Sequence, residues 1–129
     1  MKTSEDIEKL EKLIGQLQGL HSEISQLAKK SPNDGLNVFK LKLVNKVLEN
    51  GNAILTGRYM PFDDFHQFDE DQLPTNSDVT MILAQYMEQA ERFRSDHVAY
   101  SQHKWRYVLD GAPSAIEGRQ PTKVGGGSK

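Results

Sequence analysis

The chain contains no cysteine, which excludes a disulfide framework, a thiolate nucleophile and any cysteine-ligated zinc or iron–sulfur centre. It has no apolar run approaching the roughly 18 residues that a membrane-spanning helix needs. Met1 is followed by a charged, amphipathic stretch rather than the apolar stretch of a secretion signal, so the expected location is cytoplasmic, with no membrane partner. Neither sign of charge dominates. Sixteen Lys and Arg stand against 18 Asp and Glu, a formal net charge of -2, which supplies no global attraction to nucleic acid or to an anionic membrane. The common catalytic signatures are missing as well: there is no Gly-rich phosphate loop, no HExxH pair and no GxSxG elbow. At 129 residues the chain is large enough for one domain with a core of its own.

What is present is helical periodicity. Ile7, Leu10, Ile14, Leu17, His21, Ile24 and Ala28 alternate three and four residues apart, with Leu13, Leu20 and Leu27 as a second line beside them. Only a helix places these side chains on one face. Thr3 and Asp6 stand at capping-box spacing, and Ser31-Pro32-Asn33-Asp34-Gly35 supplies the breakers that end the segment. The stripe is wider than a two-stranded coiled coil requires and calls for neighbours on two sides.

Residues 36–56 also read as a helix, because their apolar residues come in adjacent pairs at 43/44, 47/48 and 54/55. Asn50-Gly51 is a strong hairpin signal, and a hairpin there stays open as the alternative. A third helix is expected from the capping cluster Thr75-Asn76-Ser77-Asp78. Its stripe runs through Val79, Leu83, Tyr86, Ala90, Phe93, His97 and Tyr100, and extends through Trp105, Val108 and Leu109 to a stop at Asp110-Gly111. From Gly111 onward the chain holds five of its ten glycines and two prolines, the composition of a flexible tail. Ile116-Glu117-Gly118-Arg119 resembles the recognition site of the clotting protease factor Xa, and Gly125-Gly126-Gly127-Ser128 resembles a linker, so part of this tail is a candidate for artificial origin. The expected architecture is all-α: a bundle of about three helices over residues 1–110, completed by homo-oligomerisation because the short second helix cannot cover both long ones, with residues 111–129 as the tail.

The connection at residues 57–74 is too long for a simple link. Tyr59, Phe62, Phe65 and Phe68 recur every three residues among Asp63, Asp64, Asp69, Glu70 and Asp71. Residues 58–78 carry one positive and six negative charges, a net of -5. Such a segment can dock a partner, its aromatics entering pockets and its carboxylates meeting Lys and Arg. It can equally cap the chain's own core. Asp69 and Asp71 alternate as calcium ligands do, but no Gly or terminal Glu follows at EF-hand spacing.

His21 and His97 interrupt the apolar stripes. A polar register device, a pH-sensitive contact or a metal ligand pair are the readings such histidines allow; no carboxylate shares the stripes, so no metal or other cofactor is expected. The end of the third helix is basic and aromatic, from Arg92 to Tyr107, but Glu91, Asp96 and Asp110 dilute it, and nucleic acid is not the expected partner. Within it, Arg92-Phe93-Arg94-Ser95-Asp96-His97 places an Arg five residues before a His. This resembles the motif of HEPN-type ribonucleases, small all-helical proteins that often act as dimers. The resemblance covers six residues of 129 and implies metal-independent RNA cleavage, with Arg92 stabilising phosphate charge and His97 as general base.

The leading expectation is a non-catalytic protein that self-associates through the first and third helices. It would bind a protein with a basic or apolar groove through Tyr59, Phe62, Phe65, Phe68, Asp69, Glu70 and Asp71. The enzyme-class alternative is the ribonuclease using Arg92 and His97. A third reading is a regulator, such as an antitoxin or inhibitor, that blocks a basic groove with the acidic loop.

Overall fold

The computed structural model describes residues 1–123, and the linker-like Gly125-Gly126-Gly127-Ser128 lies outside the described residues. Three helices, α1 (Ser4–Lys30), α2 (Val38–Ile54) and α3 (Asn76–Asp96), precede an antiparallel meander of β1 (Val98–Ser101), β2 (Lys104–Leu109) and β3 (Ala112–Glu117). The fold is therefore mixed α and β, which corrects the all-α helical bundle expected from periodicity. Among the described residues no helix is long and apolar enough to cross a membrane.

The helix boundaries have local causes. Thr3 caps α1 with the reciprocal pair of bonds of a capping box: the Asp6 amide donates to Thr3 Oγ1 at 3.3 Å, and the Thr3 amide donates to Asp6 Oδ2 at 3.2 Å. Thr75 caps α3 by accepting from the Asp78 amide at 3.1 Å, and Asn37 caps α2 by accepting from Lys40 at 2.8 Å. Residues 31–36 and 74–77 are stitched to each other, with Leu36 N donating to Pro74 O, Asn76 N to Asp34 O, and Asn76 Nδ2 to Ser31 O. This puts the C-terminus of α1 beside the N-terminus of α3, so the two run antiparallel. The apolar stripes expected to be shared between copies face each other within one chain. Ile7, Leu10, Leu13, Ile14, Leu17 and Ile24 of α1 share a core with Val79, Leu83, Tyr86 and Ala90 of α3, and Leu41, Val44, Val47 and Leu48 of α2 close it.

Residues 50 and 51 lie inside α2, so the hairpin alternative does not form. Gly51 is there for space: a Cβ at this position would sit 3.2 Å from the Tyr86 ring and 3.6 Å from Leu13. The glycine lets α2 approach the other two helices at once.

The third helix ends at Asp96, well short of Leu109. His97 closes it: its amide donates to Arg94 O at 3.0 Å, and its ring Nδ1 lies 2.6 Å from Phe93 O. The chain then reverses twice through two-residue turns, Gln102-His103 with φ of 52° and 68°, and Asp110-Gly111 with φ of 50° and 79°. Positive φ at both central residues matches the right-handed twist of the flanking strands. Asp110-Gly111 is thus a hairpin turn where periodicity suggested a helix stop. Residues 112–117, which composition placed in the tail, form β3. Its ladder shifts register between Arg106 and Val108, and Pro113 is tolerated because β3 is an edge strand.

The sheet is anchored through β2. Tyr107 is fully buried, and its hydroxyl donates to the Glu11 carboxylate of α1. Burial and this neighbouring carboxylate push the phenol well above its ordinary pKa. Val98, Leu109 and Ile116 pack against the helical core, whereas Trp105 meets Tyr100 edge to face at 5.5 Å. Gly51→Val should lower stability by about 2 kcal/mol, because the added Cβ and its two methyl groups must displace the Tyr86 ring. Urea unfolding followed by circular dichroism measures it, and an unchanged midpoint would refute the close-approach role.

Candidate functional site

Two polar assemblies stand out, one at each side of the C-terminal half of α3. The first holds residues 57–74. This segment has a single 3-10 turn, Gly57–Tyr59, as regular structure, so its order has to come from side chains. Asn45 supplies most of it. On the inward face of α2, its Nδ2 donates to Phe68 O at 2.9 Å and its Oδ1 accepts from the Phe68 amide at 2.8 Å. Buried at both ends, the amide pairs with the loop backbone as another peptide group would. Asn52, seven residues on and so on the same helix face, donates to His66 O at 2.9 Å and accepts from the Tyr86 hydroxyl at 2.7 Å.

Phe62, Phe65 and Phe68 are half-buried and pack against the core; their rings meet edge to face at 6.2 Å (Phe62 and Phe65) and 4.9 Å (Phe65 and Phe68). Tyr59 stands apart, edge-on to Phe93 at 5.0 Å. Its hydroxyl donates to Asp96 Oδ2 at 2.6 Å and accepts from Arg58, which also pairs with Asp96 at 2.9 Å. Burial, with the Asp96 carboxylate beside it, raises the phenol pKa. The four aromatics therefore seat the segment on its own chain. Asp63, Asp64, Asp69, Glu70 and Asp71 are exposed. Asp69 Oδ1 accepts from the Asp71 amide at 2.9 Å, and Glu70 Oε2 accepts from Asn45 at 3.2 Å.

Of the histidines, His21 is half-buried on α1. His97 stacks on Phe93 at 4.2 Å and 22°, with Tyr59 at 6.3 Å. Burial depresses its pKa against the pull of the Phe93 carbonyl. Arg92 is engaged elsewhere, donating to Glu88 Oε2 at 3.0 Å. No hydrogen bond joins Arg92 to His97 among the described residues. No group of three or more His, Asp or Glu among them could hold a metal ion.

The second assembly was not anticipated. Arg94 is 1% exposed, and Glu91, one turn earlier, meets it as a fork: Nε donates to Oε1 and Nη2 to Oε2, both at 2.8 Å. The other guanidinium protons reach the backbone of the C-terminal segment, Nη1 to Arg119 O at 2.8 Å and Nη2 to Gln120 O at 2.9 Å. Glu91 Oε2 also accepts from Ser95 at 3.3 Å and from the Thr122 hydroxyl at 2.5 Å. Lys123 pairs with Glu88 at 2.8 Å. Beside this strap lies a cavity of about 300 Å³, lined on one side by Ile14, Leu17, Met87 and Ala90 and on the other by Glu91, Arg94 and the strap itself. An acid three residues before an Arg was visible in the sequence, but an Arg's burial was not.

Comparison with models of known families, with curated proteins and with solved structures gives no significant match to this chain.

Burial pushes the Glu91 carboxyl upward, but hydrogen bonds from Arg94, Thr122 and Ser95 outweigh it and bring its pKa down to about 2. A depressed carboxylate contributes stability that is complete above its unfolded value near 4.5 and lost as pH falls towards 2. The contribution is on the order of 3 kcal/mol. Glu91→Gln should therefore be clearly less stable than the parent at neutral pH and nearly equal to it at the acid end of this window. Urea midpoints taken across the window would show the two curves converge; parallel curves would refute the linkage.

Proposed function

We propose that this chain is a non-catalytic cytoplasmic interaction protein that presents the acidic segment at residues 57–74 to a basic groove on a partner protein. The observation that carries this reading is how the segment is held. Asn45 and Asn52 fix its backbone, the aromatics seat it on the core, and Asp63, Asp64, Asp69 and Asp71 are left at the surface. A loop ordered before binding loses little conformational freedom on association. Its concentrated charge speeds encounter with a cationic surface and selects against anionic ones. In this reading Tyr59, Phe62, Phe65 and Phe68 form the platform and contribute their exposed edges, while Asp69, Glu70 and Asp71 make the central polar contacts. An inhibitor or antitoxin that covers a basic groove is the regulatory form of the same activity.

A second copy of the chain belongs to this reading. Val38, Phe39 and Leu43 remain exposed on α2, Phe39 at 71%, and Lys42 and Lys46 stand beside them. The face is apolar with a cationic margin, opposite in sign to the acidic segment, so two copies can pair one's α2 with the other's loop.

The fourfold variant Asp63, Asp64, Asp69 and Asp71 to Asn should melt within a few degrees of the parent, since exposed substitutions typically change stability by about 0.5 kcal/mol or less. In affinity capture it should lose the proteins that the parent retains at low salt and releases at high salt. Retention of the same proteins by both would overturn the assignment. For self-association, sedimentation velocity should find the parent chain as a dimer and Phe39→Ser shifted towards monomer. A parent that stays monomeric at every concentration would remove the second copy from the reading.

A further inference from the structure

The groove between α1 and α3 is already occupied by a peptide, and that peptide is the chain's own C-terminal strap. After β3, Gly118 makes one last backbone bond to Trp105 of β2, and residues 119–123 then run across α3. Gly118 marks the crossing: a Cβ there would lie 2.9 Å from Val98 Cγ1 and 3.3 Å from the Tyr107 ring, so the backbone itself packs against the sheet.

Past this point the segment is held mostly by its main chain. Arg94 donates to the carbonyls of Arg119 and Gln120. Ser95 Oγ accepts from the amides of Thr122 and Lys123 at 3.1 and 3.3 Å. Among the described residues, side chains are read at two positions, the Thr122 hydroxyl by Glu91 and the Lys123 ammonium by Glu88. A buried arginine and a serine reading consecutive peptide groups, followed by a carboxylate for a hydroxyl and another for a cation, is the layout of a site for an extended peptide.

The strap also fits incompletely. Arg119, Gln120 and Thr122 are exposed. The adjoining cavity of about 300 Å³ is floored by Ile14, Leu17, Met87 and Ala90 and walled by Arg119, Gln120 and Thr122 of the strap itself, none of which puts an apolar side chain into it.

We infer that this groove is a peptide-binding site, and that its intermolecular ligand is an extended basic segment of a partner protein. That ligand carries Ser or Thr immediately before Lys or Arg, and an apolar side chain that fills the cavity. The strap is its intramolecular competitor. Tethering gives a competitor an effective concentration on the order of millimolar, so the closed chain binds such a peptide weakly and the opened chain binds it well. This site is separate from the acidic segment and stands or falls independently of it.

The test uses the full-length chain and a fluorescein-labelled peptide of sequence Gly-Arg-Leu-Pro-Thr-Lys, which puts an apolar side chain where the strap has Gln120 beside the cavity, read by fluorescence anisotropy. The double variant Thr122→Ala, Lys123→Ala weakens the strap at the two positions where side chains are read. It should bind the peptide about tenfold or more tightly than the parent chain does. Adding Glu88→Lys to it should reverse the gain, by repelling the lysine of the probe. Equal binding by parent and double variant would place the peptide elsewhere and overturn the inference, as would no binding by a double variant that retains its circular dichroism. Amide exchange on the parent chain supplies the measurement that depends on no variant. Thr122 and Lys123 should exchange through local opening, faster than the core of α3, whereas exchange only through global unfolding would make the strap a fixed part of the fold and reject the idea.

Discussion

A guanidinium withdrawn from water sets the terms for one end of this molecule. Arg94 is charged at every relevant pH, and a buried charge is tolerated only when it is paired and its protons are satisfied. Glu91 supplies the charge from the same helix, but two carbonyls have to come from elsewhere, and they come from residues 119 and 120. The requirement reaches far along the chain. α3 must remain helical through residue 94 to keep Glu91 and Arg94 in register. The meander must then turn twice within about twenty residues to bring the strap back across the helix that began it. Tyr107, buried beside Arg94 and bonded to Glu11, ties the same return path to α1.

The opposite assembly meets a different demand with neutral groups. Residues 57–74 contain too little regular structure to satisfy their own backbone, and two asparagines on one face of α2 stand in for the missing strand partner. Neutral amides suit this position, since a charged donor beside so many carboxylates would draw them inward and fold the acidic surface under. Arg58, at the head of the loop, is held to Asp96 and Tyr59 instead. The segment thus keeps its one cation at its head and its anionic charge further along.

Much of the helical frame was legible, because its signals are local. The Thr3 box, the Ser31 to Gly35 breakers and the Thr75 cap each act within a few residues. The adjacent apolar pairs of α2 outweighed Asn50-Gly51, whose glycine answers to Tyr86 rather than to a turn. The meander was misread for a definable reason: Phe93, His97 and Tyr100 continue the three-four spacing of α3 past its end, so the helix period persists after the helix has stopped. The Gln102-His103 turn carries no glycine to contradict it, and Asp110-Gly111 serves equally as a stop or a reversal. At the sites, the aromatic spacing of the loop was visible, but its partners Asn45 and Asn52 lie some twenty residues away and look like ordinary helix-surface residues. Arg94 was hidden by its own chemistry, because an arginine in a sequence is taken as solvated.

The strap carries one more consequence, which concerns proteolysis. The peptide bond after Arg119 closes the sequence Ile-Glu-Gly-Arg, and a protease must draw several residues on either side of such a bond into an extended, accessible form. Here Ile116 and Glu117 belong to a strand, Gly118 donates to Trp105 O, and the Arg119 carbonyl is bonded to the buried guanidinium. Cutting must wait for the strap to lift, so this bond keeps time for the fold, its cleavage rate set by how often that end of the molecule opens.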